Sequence, residues 1–134
     1  MSVPKDLLYT SEHFWLLIEG DRVKIGLTKY AQSDIGEILL VELPGINKQI
    51  KAGERFVVIE TAKAIFDLKS PISGKIIEVN QDLEEEPDLI KKDPYEHGWL
   101  ILIQKDPSEA FGQFMDLKQY ESFLNEEGLN KLKD

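Results

Sequence analysis

Apolar and polar positions alternate in short runs through the first hundred residues and then recur at three- and four-residue steps. His13-Phe14-Trp15-Leu16-Leu17-Ile18 and Val23-Lys24-Ile25-Gly26-Leu27 flank Glu19-Gly20-Asp21-Arg22, which predicts a β-hairpin closed by Gly20-Asp21. Thr28 can cap a short helical turn through Tyr30-Ala31-Gln32-Ser33-Asp34 that stops at Gly36. Residues 37–43 are strongly apolar, Pro44-Gly45 breaks the run, and Ile50-Lys51-Ala52-Gly53-Glu54 turns the chain into Phe56-Val57-Val58-Ile59, a further strand. Ile65-Phe66-Asp67-Leu68-Lys69-Ser70 alternates with period two, and Gly74-Lys75-Ile76-Ile77-Glu78-Val79-Asn80 reads as a strand. Residues 83–90 form a short acidic helix or loop, and 99–103 the last strand. After Pro107 the spacing of Phe111, Phe114, Met115, Leu117, Tyr120, Phe123 and Leu124 predicts a helix that Gly128 ends.

The middle of the chain looks internally duplicated. Gly36-Glu37-Ile38, Val41-Glu42, Ile50-Lys51-Ala52-Gly53-Glu54 and Val57-Val58-Ile59 can be laid over Gly74-Lys75-Ile76, Val79-Asn80, Ile90-Lys91-Lys92-Asp93-Pro94 and Leu100-Ile101-Leu102-Ile103. Each copy runs strand, turn, strand, and neither has enough strands to stand alone, so the two would bury each other's apolar face.

The 134 residues, 42% of them hydrophobic, fit one domain with a single core, expected over 7–104 with the helical segment at 107–128. A net charge of −9 and a pI near 4.7 repel nucleic acid and anionic membranes and favour basic docking surfaces on partner proteins. Without cysteine there are no disulfides, thiol nucleophiles or Cys-based metal sites. No apolar run approaches the roughly 20 residues of a membrane span. The polar start, Met1 to Asp6, carries neither a secretory nor a transit signal, so a soluble cytoplasmic monomer is expected.

The candidate chemistry is at Glu60-Thr61-Ala62-Lys63-Ala64, between two strands. Lys63 falls at the tip of a hairpin, and small Ala62 and Ala64 leave its ammonium unshielded. That placement suits a lysine that is covalently modified and enters another protein's active site. His13 and His97, far apart in sequence and without a nearby ligand pattern, do not suggest a metal site; His97 beside Gly98-Trp99 is expected to make a turn hydrogen bond. Glu84-Glu85-Glu86 reads as a solvated face, and Trp15 and Trp99 as sheet anchors.

These residues carry a resemblance. The turn, followed by Asp67, Ser70-Pro71-Ile72-Ser73-Gly74 and Glu78-Val79-Asn80, resembles the H proteins of the glycine cleavage system, a family of lipoyl carriers. Tyr9, His13 and Trp15, Ile25-Gly26, Tyr30-Ala31-Gln32, Gly36-Glu37-Ile38, Val41-Glu42-Leu43-Pro44, Gly53-Glu54, Asp93-Pro94-Tyr95 and Gly98-Trp99 are similar in order and spacing, from about Lys5 to the C-terminal helix. Biotin carriers place methionines on both sides of the modified lysine. The lipoyl domains of 2-oxoacid dehydrogenases share a turn like this one but are shorter and lack the His-x-Trp start and the C-terminal helix.

The resemblance implies a mainly β fold, the lipoyl/biotinyl-type flattened barrel (barrel-sandwich hybrid) of two pseudo-symmetric sheets. It implies lipoate on Lys63, with Glu60, Thr61, Ala62 and Ala64 as the turn read by the lipoylating enzyme. It further implies a carrier rather than an enzyme. The arm would take methylamine from a pyridoxal-phosphate glycine decarboxylase (the P protein) to a tetrahydrofolate-dependent aminomethyltransferase (the T protein), then be reoxidised by dihydrolipoamide dehydrogenase (the L protein). One departure is Phe14, where the family usually has a glutamate thought to shelter the cationic arm. Strand alternation would put Glu12 on the face of Phe14, so that Glu12, Phe14 and Asp67 form the arm pocket, with Phe66 making its wall more apolar. The same departure fits H-like proteins that carry lipoate for sulfur-compound oxidation with heterodisulfide-reductase-like enzymes, whose arm needs no such carboxylate.

Overall fold

The computed structural model describes residues 6–32 and 36–127. Strands β1 (Leu8–Tyr9), β2 (Phe14–Glu19), β3 (Arg22–Leu27), β9 (Ile101–Lys105), β8 (Gly74–Val79) and β5 (Gln49–Ile50) lie side by side in that order. Strands β4 (Ile38–Glu42), β6 (Arg55–Thr61) and β7 (Ile65–Lys69) make a second sheet, with β6 in the middle. The first hairpin closes as its sequence demands: Glu19 pairs with Arg22 around Gly20-Asp21, and Gly20 has φ +66°, a left-handed backbone that costs glycine little.

One core lies between the two sheets. Leu16, Val23 and Ile25 from the first meet Val41, Val57 and Ile59 from the second, all at most 3% exposed. The architecture is the expected mainly β, two-sheet fold, with the sheets separate and unequal rather than joined in one closed barrel. The suspected repeat corresponds to two antiparallel pairs, β4 with β6 and β8 with β9, one in each sheet.

The run Phe14-Trp15-Leu16-Leu17 is apolar at successive positions because β2 is covered on both faces. Phe14 and Leu16 point into the shared core, whereas Trp15 joins a second cluster with Leu7, Tyr9, Tyr30, Tyr120 and Leu124. Trp15 lies across Gly26, its cross-strand partner, where a Cβ would come within 2.5 Å of the indole, and its Nε1–H donates to the Pro94 carbonyl at 3.0 Å. Trp15 is the anchor expected of it; Trp99 is half-buried beside the same cluster, with Lys24 Nζ 5.2 Å from its ring centroid.

Several local expectations change. The turn after Thr28 is a 3-10 segment, Lys29–Gln32, and the Thr28 hydroxyl meets the Tyr120 hydroxyl at 2.8 Å. Ser33 and Asp34 lie outside the described residues, as do the first five residues and Gly128. Residues 82–92 hold two single helical turns, α1 (Asp82–Glu85) and α2 (Leu89–Lys92), anchored by fully buried Leu83 and Ile90. The last strand starts at Ile101 rather than Trp99.

The largest correction is the C-terminal helix, α3 (Leu117–Glu127), which does not begin after Pro107. Phe111, Phe114 and Met115 precede it in extended and turn structure. Met115 exchanges both backbone hydrogen bonds with Tyr9, at 2.8 and 2.9 Å, and a backbone paired to a strand cannot also be helical. The helix starts instead at a reciprocal cap: Asp116 Oδ1 accepts the Gln119 N–H at 2.8 Å while Gln119 Oε1 accepts the Asp116 N–H at 2.9 Å.

Candidate functional site

Strands β6 and β7 bring the chain to Ala62-Lys63-Ala64, the three residues between Thr61 and Ile65. The turn is shorter than the five residues read from sequence, because Glu60 pairs with Ile65 and Thr61 remains in β6. Thr61 holds the loop together. Its hydroxyl accepts the N–H groups of Lys63 and Ala64, each at 3.1 Å, and donates to the Ala64 carbonyl at 3.2 Å. At 5% exposure it frames the turn from inside, whereas Glu60, Ala62, Lys63 and Ala64 are exposed.

A second segment braces the tip. The Ala62 N–H donates to the Glu37 carbonyl at 3.1 Å, and Lys91 Nζ donates to the Gly36 carbonyl at 2.9 Å. Gly36 has φ +77°, and a Cβ built there would lie 3.6 Å from the Lys63 methylenes, so the lysine stem runs beside a backbone made permissive by glycine. The base of the lysine is ordered by hydrogen bonds on two sides while its side chain stays exposed.

Below the tip lies a cleft of about 150 Å³, lined by Glu12, His13, Leu27, Ala31, Ile59, Phe66 and Leu68. Ile59 and Phe66 are cross-strand partners, and alternation puts Leu68 on the same face. Phe66 is three residues from Lys63, about 10 Å along an extended strand.

The structure divides the three residues proposed for an arm pocket. Glu12 lines this cleft, but not by strand alternation: it sits in a turn before β2, and His13 has φ +71°. Phe14 is 2% exposed in the core, its ring 5.8 Å from that of Phe56, and does not reach the cleft. Asp67 projects from the opposite face of β7 to Phe66, is exposed, and lies 3.7 Å from Arg55. Glu12 and Asp67 are therefore on different sides of the small sheet. His13 enters the cleft instead, and its Nδ1 lies 2.7 Å from the Tyr120 hydroxyl. The period-two pattern of Phe66 and Leu68 was a usable signal for the wall; His13, quoted only for the resemblance, carried no signal for the cleft, because its place there comes from a left-handed turn and a helix more than a hundred residues away.

His97 bonds Asp93 through Nδ1, as the turn expectation had it, and its own N–H also donates to that carboxylate at 3.3 Å. The bond raises the His97 pKa and lowers that of Asp93. Folding also brings Glu96 close, so that Asp93, Glu96 and His97 offer ligand atoms within 4.8 Å of one another. The sequence around either histidine shows no ligand pattern. This group, with Glu96 and His97 exposed and Asp93 half-buried, is on a different segment from the Lys63 hairpin. Among the described residues no helix is long and apolar enough to cross a membrane.

A lysine on a braced hairpin tip, beside an apolar cleft, in a two-sheet β fold defines a domain of the lipoyl-carrier type. The Glycine cleavage H-protein family model matches residues 7–127. The glycine cleavage system H protein of Bacillus licheniformis is 42% identical over 127 residues, which cover 95% of this chain and all of that one. That of Carboxydothermus hydrogenoformans is 42% identical over 126 residues, 94% of this chain and 97% of the relative. The crystal structure of a glycine cleavage system H protein from Mycobacterium marinum superposes with a TM-score of 0.80 at 32% identity, covering 94% of this chain and 99% of the other. The chain belongs to the glycine cleavage H-protein family.

Proposed function

We propose that this protein is the lipoyl-bearing carrier of a glycine cleavage system, a single domain over residues 1–134 that has no catalytic residue of its own, with Lys63 as the attachment site. The observation that carries the reading is the exposed Lys63 between two alanines on a tip held by Thr61 and by Glu37, in a chain of this family. The residues present fit lipoate: the lysine is accessible, and Gly36 leaves room beside its stem. Joined to the Lys63 amine as an amide, lipoate would supply a long flexible arm ending in a dithiolane, a group able to hold a methylamine unit and to cycle between disulfide and dithiol, with glycine decarboxylase, aminomethyltransferase and dihydrolipoamide dehydrogenase as the partner enzymes.

The chain's own part is to tether, present and shelter. Fixing the base of the arm at one point raises its effective concentration at each partner. Ile59, Phe66 and Leu68 form an apolar wall that excludes water, and Glu12 places a carboxylate at its rim for the positive charge of a methylamine group. Phe14 had favoured a sulfur-compound pathway by replacing a carboxylate of the pocket. It lies in the core, outside the cleft, so that support falls away. The working form is a cytoplasmic monomer whose acidic surface selects protein partners over nucleic acid or membranes.

Intact mass after expression with a lipoyl ligase, followed by glycine–bicarbonate exchange with the decarboxylase, tests the reading. A lipoyl increment on Lys63, lost in Lys63→Arg, together with robust exchange, is expected. Full lipoylation without exchange would assign the carrier to another pathway, and no increment would end the carrier reading. In Glu12→Ala the aminomethylated carrier should decay several-fold faster; equal lifetimes would remove Glu12 from the shelter.

A further inference from the structure

The outer face of the small sheet carries an apolar patch beside the lysine. Leu40 on β4, Glu60 on β6 and Ile65 on β7 form one cross-strand row, the last that spans all three strands before the Ala62-Lys63-Ala64 tip; the one pair nearer, Ile38 with Thr61, is buried. Leu40 is 45% and Ile65 66% exposed, and the register shift between Ile38 and Leu40 adds a bulged residue, Leu39, that is 51% exposed. These are three of the four large hydrophobic side chains that stand exposed among the described residues. Two strand spacings separate Leu40 from Ile65, about 10 Å, with the Glu60 carboxylate between them. Carboxylates predominate at the margin: Glu37 and Glu42 are exposed on the same three-stranded unit, exposed Asp67 is paired with Arg55, Lys91 reaches Gly36, and α1, with exposed Glu84 and Glu85, packs against β4.

We propose that Leu39, Leu40 and Ile65 around Glu60 form the docking surface for the enzyme that acylates Lys63, an enzyme presenting an apolar contact with a basic rim. The proposal rests on Lys63 being the lipoyl site. The argument is one of reach. Before acylation the nucleophile is the Lys63 nitrogen, only four methylenes from the backbone, so the acylating enzyme must close its active site over the tip itself. On the outer face of the small sheet the first exposed row that such a surface meets is Leu40-Glu60-Ile65. Enzymes that act on the finished arm meet its reactive sulfurs much farther out and have no need to cover that row. In the step served, the Lys63 ammonium gives up two protons, its nitrogen forms the amide bond to the lipoyl carbonyl carbon, and AMP departs from the acyl adenylate with the electrons of the broken bond. The patch supplies contact area and Glu60 supplies register, with carboxylates at the rim speeding encounter with a basic partner.

The test uses the full apo chain, lipoate, ATP and a lipoyl ligase, and reads kcat and KM for acylation. Leu40→Ser and Ile65→Ser should each raise KM about tenfold with kcat unchanged, the size of loss typical of an interface anchor. Glu60→Gln should raise KM and weaken its dependence on salt. Ile46→Ser removes a residue of similar exposure, 51%, beyond the other end of β4, and should change nothing. All four should keep the wild-type urea midpoint. After prolonged incubation to full lipoylation, reduction by dihydrolipoamide dehydrogenase should stay within twofold of wild type. Unchanged acylation in Leu40→Ser and Ile65→Ser would overturn the proposal while leaving the carrier reading intact. Equal losses toward the ligase and the dehydrogenase would overturn the assignment to the acylating enzyme. Failure of the wild-type chain to be acylated at Lys63 would instead sink the carrier reading.

Discussion

The outer faces of the two sheets are treated oppositely. On the six-stranded sheet, α3 and the N-terminal segment cover β2, burying Tyr9, Trp15 and Tyr120 to 1% exposure or less. Tyr9 and Tyr120 stack at 4.6 Å with planes 2° apart, and the Tyr120 hydroxyl meets His13 and Thr28. On the three-stranded sheet Leu40, Glu60, Ile65 and Asp67 stay exposed, with α1 packed against β4 and Arg55 beside Asp67. One outer face is closed by packing, and the other, next to Lys63, stays open to solvent. Buried aromatic packing is thus concentrated on the layer away from the lysine.

Tyr120→Ala should break this contrast hardest, costing about 3–5 kcal/mol in urea unfolding because a fully buried aromatic is removed. Ile65→Ser on the open face should stay within about 0.5 kcal/mol. Comparable losses at the two positions would refute the division. Thr61→Val should cost about 1–3 kcal/mol by leaving the turn's N–H groups without their acceptor, and hydrogen exchange should quicken at Lys63 and Ala64 before it does in β2. Asp116→Ala should cost about 1 kcal/mol by uncapping α3 and leave acylation at Lys63 unchanged.

The smallest effect concerns His97. Its raised pKa means that NMR should find its midpoint above 6.5, returning toward that value in Asp93→Asn. Folding lifts the His97 pKa, so its share of stability is full below pH 6.5 and fades as pH rises through the folded value. The lowered Asp93 pKa acts from the other side: its share is full above 3.8 and is lost as pH falls through the folded value. The pair therefore acts chiefly between those limits. His97 is exposed and Asp93 half-buried at the surface, so the measurable signature is the midpoint rather than the unfolding curve.

Much of this was legible in local pattern. Gly20-Asp21 between two apolar runs specified the first hairpin, and the alternation on either side of residue 63 put the lysine at a tip. Asp116-Leu117-Lys118-Gln119 carries a capping pattern at the true helix start, a signal that the sequence reading, resting on the apolar spacing from Phe111, does not use. That spacing matched a helix by coincidence, since Phe111 and Phe114 pack on the core from a turn.

By itself the amino-acid sequence determined most strands and the candidate lysine, because turn chemistry and side-chain period act over a few residues; the two-sheet class and the family followed from the order and spacing of motifs that resemble H proteins. Only the tertiary structure decided which side chains share the cleft. Phe14 went to the core, Asp67 to the open face, and His13 to the rim beneath Tyr120. The reason is that a strand's alternation says which residues share a face but not what that face meets. A single left-handed residue such as His13 also resets the alternation for whatever precedes it.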